Sequence, residues 1–400
     1  MSNLGALNGR NGRNGRNGRN GRNGRNGRNG RNGRNGRDGI QHAGGFSDGT
    51  LSSALGSTFE GIVRRWDAAH TPVETRIKPY SGDDASPEFR AFVKYEDFFQ
   101  DHIVDYNVDR LFSPLDLSRT DGVTLAEAGG GAICDVPLPK SETLDAYLKK
   151  QMKFVKSAAV LRDERFDEIM VQQTDVLSFW GGCLFLDDAR TPWTLALLDA
   201  LLRFGTYIEM PIKLRFNALR PLDYSPYAMP MIQNPTHGSF PSGHSVEAFA
   251  VGTVLHALAQ EKAIESTGPG KPAKVYSATR AFAAEPPVLM RLAARIAENR
   301  TVAGVHFPAD SFAGAALGMA IGEYLVNALA GTGATGSYTL KTKDIGDRDF
   351  GFDALTFGRG KQHPISHTEG NVDISGVTVS PILREMWSLA RQELHAAKVS

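Results

Sequence analysis

ENRTVAGVHFPAD, residues 298–310, sets an arginine, a histidine six residues on and an aspartate four further on beside a proline, in an otherwise apolar region. Proline suits the first turn of a helix, so the spacing predicts that one helix ends near Gly304 and another begins at Pro308. If the second begins at once, His306 and Asp310 lie one turn apart. Asp310 can then accept a hydrogen bond from one ring nitrogen of His306 and leave the other as a nucleophile or ligand. The same pair also reads as an ordinary helix cap.

Outward from this stretch the pattern is helical. From residue 141 apolar residues recur at three- and four-residue steps through SETLDAYLKKQMKFVKSAAVL, ERFDEIMVQQTDVLSFWGGCLFL, TPWTLALLDALLRFGTYIEMPIKLRFNAL, SVEAFAVGTVLHALAQEKAIE and PADSFAGAALGMAIGEYLVNALA. Strand signals there are few. The expected fold is all-α: a helical domain over 141–330, after a mixed segment at 46–140 that packs on it. A loop-rich segment with a closing helix follows at 331–400. In 46–140 the best helix candidate is SPEFRAFVKYEDFFQDHIVDY.

Residues 8–37 repeat NGR ten times and hold ten arginines and no acid. A glycine every third residue without proline does not read as a collagen helix, and with almost no apolar side chains residues 1–45 are expected to be disordered. Outside the repeat, 35 Lys and Arg face 44 Asp and Glu, a net −9. An acidic body with a basic tail is not the balance of a dedicated nucleic-acid binder. The tail reads as an arm for phosphate-rich partners or, with preference, as a repeat expansion without a selected role. Two cysteines, Cys134 and Cys183, imply neither a disulfide framework nor a metal cluster. No leader pattern opens the chain, and AGAALGMAIGEYLVNALAG, interrupted by Glu323, falls short of a membrane span. A cytoplasmic protein without a membrane span, and a homodimer, are the expectations.

Two further blocks carry chemistry. In FPSGHSVEAF, Pro241, Ser242 and Gly243 precede a long helix whose free N–H groups and positive dipole end make an anion site. Ser242 adds a hydroxyl donor, Gly243 admits an oxyanion to the backbone, and His244 is placed to exchange a proton. In KLRFNALRP, Lys213 and Arg220 are seven apart, which predicts that both share one face of a helix ending at Pro221. Either they form a solvated stripe or they converge on a multiply charged oxyanion. Together the blocks supply what phosphoryl transfer through a histidine requires: charge neutralisation, a nucleophile and a separate proton donor.

The order Lys213…Arg220-Pro221, then Pro241-Ser242-Gly243-His244, then Asn299-Arg300…His306…Asp310 resembles the signature of the type 2 phosphatidic acid phosphatase (PAP2) and vanadium haloperoxidase superfamily. The blocks cover 213–310, and Asn299 stands where serine is commoner. The resemblance implies a helical bundle of that type. In the phosphatases it implies that His306 attacks phosphorus and Asp310 orients it, while His244 protonates the leaving alkoxide and later activates water. Lys213, Arg220, Arg300, Ser242 and the Gly243 amide hold the non-bridging oxygens, and no cofactor is needed. In the haloperoxidases it implies vanadate on His306 and peroxide activation assisted by His244, with halide and hydrogen peroxide as substrates.

For a haloperoxidase speak the long segment before the first block and His237, where algal-type bromoperoxidases also have a histidine. His237 and Asn299 are candidates for the surroundings of the site. For a phosphatase speaks RTVAGVHFPADSFAGAALG, which is similar to bacterial acid phosphatases. Hydrolysis of a small-molecule phosphoester is the preferred reading, ahead of a haloperoxidase and of a non-catalytic anion-binding scaffold.

Overall fold

Five long helices carry the core: α1 (Pro192–Phe216), α2 (Gly243–Ala259), α3 (Val288–Val302), α4 (Pro308–Ala330) and α5 (Pro381–Ala396). The computed structural model describes residues 49–62, 86–95, 97–139, 142–260, 273–283, 288–355 and 363–396. The NGR tail, expected to be disordered over 1–45 and considered as a nucleic-acid arm, lies outside them.

Every residue of α4 from Pro308 to Ala328 is buried, as a helix apolar on all sides requires. Its closest partner is α2, and the sequence shows why. Gly314, Gly318 and Gly322 recur every four residues and so share one face. A Cβ on Gly318 would sit 2.4 Å from the Val246 carbonyl oxygen, and one on Gly314 would sit 2.5 Å from that of Ser242. Only a glycine face lets the two backbones come this close. Gly314 meets Ser242 and Ser245 while Gly322 meets Thr253, so the helices run parallel. Two bonds tie their first turns: Ser242 N–H donates to Asp310 O at 2.9 Å, and Ser245 Oγ donates to Ser311 O at 2.7 Å.

α1 and α3 run the other way. Gly205 of α1 faces Val246 and Glu247, and Gly252 of α2 packs on Met290 and Ala293 of α3. The N-termini of α2 and α4 therefore share one end of the bundle with the C-termini of α1 and α3. α1 is capped in turn by α5, whose Glu393 carboxylate accepts from Trp193 N at 2.9 Å and from Thr194 N at 2.7 Å.

The all-α expectation needs correcting, because the fold is mostly helical but carries a four-stranded sheet. β1 (Gly122–Ala126) and β2 (Ala132–Pro137) form a hairpin, and β3 (Ala334–Leu340) pairs antiparallel with β4 (Ile365–Asp373). β2 and β3 join them in parallel, with Cys134 opposite Tyr338 and Asp135 opposite Thr339. The strands are five to nine residues long, and the helix-dominated sequence around them hides their alternation. In β1 Val123 and Leu125 point inward, and in β3 Tyr338 and Leu340 do. The flanks read as mixed or loop-rich thus meet in one sheet. The helix candidate at 86–106 is in fact two helices, Pro87–Phe92 and Asp97–Asp109.

The sheet docks on α4 through Glu323. This buried carboxylate accepts from Gly336 N at 3.1 Å and Ala278 N at 2.8 Å, lies 3.0 Å from His367 Nε2, and accepts from the Tyr338 hydroxyl. A charge in the middle of an apolar helix is thereby met by hydrogen bonds inside the protein. The expectation that no segment is long and apolar enough to span a membrane, which excluded a membrane from the partners, is overturned. α4 has 23 residues and holds an 18-residue stretch with a mean hydropathy of 1.4, so it passes by length and composition, and 94% of that stretch is buried within the bundle. The reading from sequence began the stretch at Ala313 and counted Glu323 as a break in it.

Because the Cβ of an alanine at 318 would meet backbone, Gly318→Ala should lower stability by about 1–3 kcal/mol in denaturant melts. Gly314→Ala presses directly on Ser242 and should also weaken oxyanion binding, as read by calorimetric titration with orthovanadate.

Candidate active site

The three blocks come together at the shared end of the bundle, though not all by the predicted route. Lys213 and Arg220 do not share a helix face. α1 ends at Phe216, because Asn217 takes the left-handed conformation (φ 42°) and returns its N–H to Lys213 O at 2.8 Å. Arg220 follows in extended backbone, its N–H donating to Asp223 Oδ2 at 2.8 Å. Lys213 reaches the site from the last turn of the helix and Arg220 from the turn after it.

Lys213 is fully buried, and its Nζ donates to Ser239 O at 3.3 Å, Gly238 O at 3.4 Å and Pro241 O. It thus clamps the loop that leads into α2. Arg220, 3% exposed, donates from Nε to His237 O at 3.0 Å and from Nη1 to Val305 O at 2.8 Å. Its Nη2 is 3.3 Å from His237 Nδ1, and that same nitrogen lies 3.2 Å from Gly238 O. His237 is therefore part of the surroundings of the site, half-buried against Arg220.

α3 ends at Val302, and Gly304, at φ 79°, turns the chain so that Pro308 opens α4. His306 sits in this turn, 5% exposed, with Nδ1 2.9 Å from Asp310 Oδ2 and Nε2 3.4 Å from Arg220 Nη1. The same carboxylate oxygen accepts from Phe307 N at 3.0 Å. Asp310 is both the helix cap and the partner of the histidine, two readings that sequence could only set side by side.

The electrostatics give the pair one protonation state. Burial, followed by Arg220 and Lys213, pushes the His306 imidazole well below its ordinary 6.5. Burial raises the Asp310 carboxyl to about 6, against the pull of the Phe307 N–H, Lys213 and Arg220. At neutral pH the histidine is uncharged, donates from Nδ1 to the carboxylate, and keeps the Nε2 lone pair toward Arg220.

Ser242 stands at the N-cap of α2 but makes no capping bond, and its buried Oγ has no hydrogen-bond partner among the described residues. Gly243 is the first residue of the helix. His244, next along, is half-buried with Nε2 2.8 Å from Gln172 O. A carbonyl only accepts, so the Nε2 proton is fixed and Nδ1 is the nitrogen that can change state. Arg300, on α3, is 1% exposed and donates from Nη2 to Gln172 Oε1 at 2.7 Å. Its Nε and Nη1 have no partner among the described residues, and burial brings its guanidinium down to about 10, still charged at neutral pH.

Asn299 takes part at one remove. Its Nδ2 donates to Glu168 Oε2 at 2.9 Å and Gln172 Oε1 at 3.1 Å, and its Oδ1 accepts from Arg165 at 3.1 Å. Glu168 is held in turn by Arg295 at 2.6 Å. Reasoning from sequence missed Glu168 and Gln172. They stand in ERFDEIMVQQTD, where nothing but an amphipathic helix is legible, and the buried Asn299-Arg300 pair was the one available sign that something must face it.

Buried donors without acceptors cost about 1–3 kcal/mol each. Ser242 Oγ and the Arg300 Nε and Nη1 lie where the N-terminus of α2 meets a concentration of positive charge. A tetrahedral oxyanion, phosphate or vanadate, satisfies such donors, and the residues present fit either.

Asp310 yields a prediction with a definite sign. A carboxyl whose folded value lies above its unfolded 3.8 contributes most to stability below about 3.8, and that contribution is lost as pH rises through about 6. Asp310→Asn should therefore gain melting temperature relative to wild type at pH 7.5. The difference should shrink at pH 4 in paired thermal melts. Oxyanion-dependent activity of the variant should fall about 10- to 1,000-fold.

Residues 193–331 match the PAP2 superfamily. No curated protein matches the chain. The matched residues hold Lys213, Arg220, Ser242, Gly243, His244, Arg300, His306 and Asp310, and leave out Glu168, Gln172 and the sheet. Residues 193–331 are thus a PAP2 superfamily domain.

Proposed function

We propose that this protein is a histidine phosphatase that hydrolyses a phosphomonoester through a phosphohistidine at His306. The superfamily comprises phosphoesterases and haloperoxidases. The observation that carries the choice of nucleophile is the buried, uncharged His306, its Nδ1 proton directed to Asp310 and its Nε2 lone pair set among cations.

In this reading Lys213, Arg220, Arg300, Ser242 Oγ and the Gly243 N–H neutralise the non-bridging oxygens. His306 Nε2 forms a bond to phosphorus as the bond to the ester oxygen breaks. The electron pair leaves on that oxygen, which takes a proton from His244 Nδ1. His244, now neutral, removes a proton from water. The resulting hydroxide displaces His306 from phosphorus and releases inorganic phosphate. Asp310 stabilises the imidazolium that forms when His306 is phosphorylated. The Arg220 Nη1 contact at 3.4 Å yields as phosphorus takes the lone pair. Arg220 then serves the oxyanion.

A second reading has one observation in its favour: the contact of His237 with Arg220 brings a further histidine beside the residues of the three blocks. In it the same residues hold vanadate, with His306 Nε2 as the ligand and Arg220 and Arg300 on the oxygens. Vanadate, when bound, supplies the centre at which hydrogen peroxide is activated toward a halide. His244 then exchanges the proton at Nδ1, and His237 adds polarity beside Arg220.

The two readings separate by assay. The phosphatase should hydrolyse p-nitrophenyl phosphate, be inhibited by orthovanadate, and yield an acid-labile phosphoprotein on quenching. His306→Ala should abolish both signals, a loss of at least about 10³-fold, with little change in melting temperature. Bromination that requires both orthovanadate with hydrogen peroxide and His306 would instead make this a haloperoxidase. Retained hydrolysis in His306→Ala removes the nucleophile assignment.

A further inference from the structure

Gln172 follows the short helix Phe166–Val171, outside the residues that match the superfamily, and is 1% exposed. Two of its atoms bond site residues. Its backbone oxygen accepts from His244 Nε2 at 2.8 Å. Its Oε1 accepts from Arg300 Nη2 at 2.7 Å and from Asn299 Nδ2 at 3.1 Å. Its Nε2 is buried and has no partner among the described residues.

The orientation of this amide is determined by its neighbours. Arg300 can only donate. Asn299 is itself oriented, because Arg165 donates to its Oδ1 and Glu168 accepts from its Nδ2. Both groups beside Gln172 are therefore donors, so the amide oxygen must face them and the NH2 must face away. The NH2 then joins Arg300 Nε and Nη1 and Ser242 Oγ as a buried donor without an acceptor. Three residues, linked through Arg300–Gln172–His244 and the two-residue step to Ser242, thus leave buried donors without an acceptor among the described residues. Protein interiors seldom tolerate one such group, and a single anion accounts for all of them.

We infer that Gln172 is an oxyanion-binding residue, donating from Nε2 to the bound tetrahedral anion while its Oε1 holds Arg300 and its carbonyl sets the tautomer of His244. The inference rests on the reading of this site as one for a phosphate-like oxyanion. It assigns to the site a residue outside the family blocks and gives the two halves of the chain a common ligand.

The test is calorimetric titration of the full chain with orthovanadate and, separately, inorganic phosphate. Gln172→Glu keeps size and an acceptor for Arg300 but removes the donor and adds a negative charge. Gln172→Met removes both donor and acceptor. Gln172→Glu should bind orthovanadate about 100-fold more weakly or worse, and Gln172→Met about 10- to 100-fold more weakly. Melting temperatures should stay near wild type for Gln172→Glu. Affinity in Gln172→Glu within about threefold of wild type overturns the inference, as does a lowered melting temperature with unchanged affinity. If neither variant folds, a crystal of the wild-type protein with orthovanadate decides. A Gln172 Nε2 within about 3.2 Å of a vanadate oxygen supports the role, and a longer separation removes it. Wild-type protein that binds neither anion overturns the reading of the site as a whole, whereas wild-type binding that ignores Gln172 overturns this inference alone.

Discussion

The contact between α2 and α4 is the constraint on which the rest of the molecule depends. Three glycines on one face of α4 bring two parallel backbones close enough for Ser242 N–H to bond Asp310 O. Parallel packing places two helix N-termini side by side, and with them two positive dipole ends. Every other group at the site answers to that arrangement. The antiparallel α1 and α3 bring their last turns to the same place, and those turns carry Lys213 and Arg300. Charge that would be costly to bury singly is gathered into one region where an anion can repay it.

Against that positive field, Asp310 decides which nitrogen of His306 carries the proton and which keeps its lone pair. One carboxylate oxygen holds both the N–H of Phe307, the residue that caps α4, and the imidazole, so the cap of the helix and the tautomer of the histidine are a single device. Burial raises the Asp310 carboxyl while the nearby cations pull it down. A neutral histidine beside an ionised aspartate follows from that balance.

Much of the candidate site was legible in the chain because its residues lie in short blocks with local geometry. Pro308 and Gly304 announced the break that carries His306, and Pro-Ser-Gly-His announced a helix start. What stayed illegible depends on distant parts of the chain. Nothing near Lys213 shows that Asn217 ends its helix early and that Arg220 arrives by a turn. Gln172 and Glu168 lie more than 120 residues from Asn299 and Arg300, and no local pattern marks such a pairing. The sheet escaped for a related reason: β2 and β3 pair across about 200 residues, and each alone reads as a short, small-residue loop. The hydropathy of α4 was underrated because Glu323 was weighed without the partners that satisfy it.

The sheet has a consequence for how the domain can be cut. Of the four groups that satisfy Glu323, three come from strands β3 and β4 and one from Ala278. A fragment trimmed to residues 193–331 would keep all eight residues proposed to hold and process the anion, yet strip most of the solvation from a carboxylate at the centre of its longest buried helix. It would also lose Glu393 from the start of α1 and Gln172 from beside Arg300. The domain recognisable by family is thus not a portable unit in this chain. Its flanks are fittings of its interior, and swapping the domain into another host would require carrying them along.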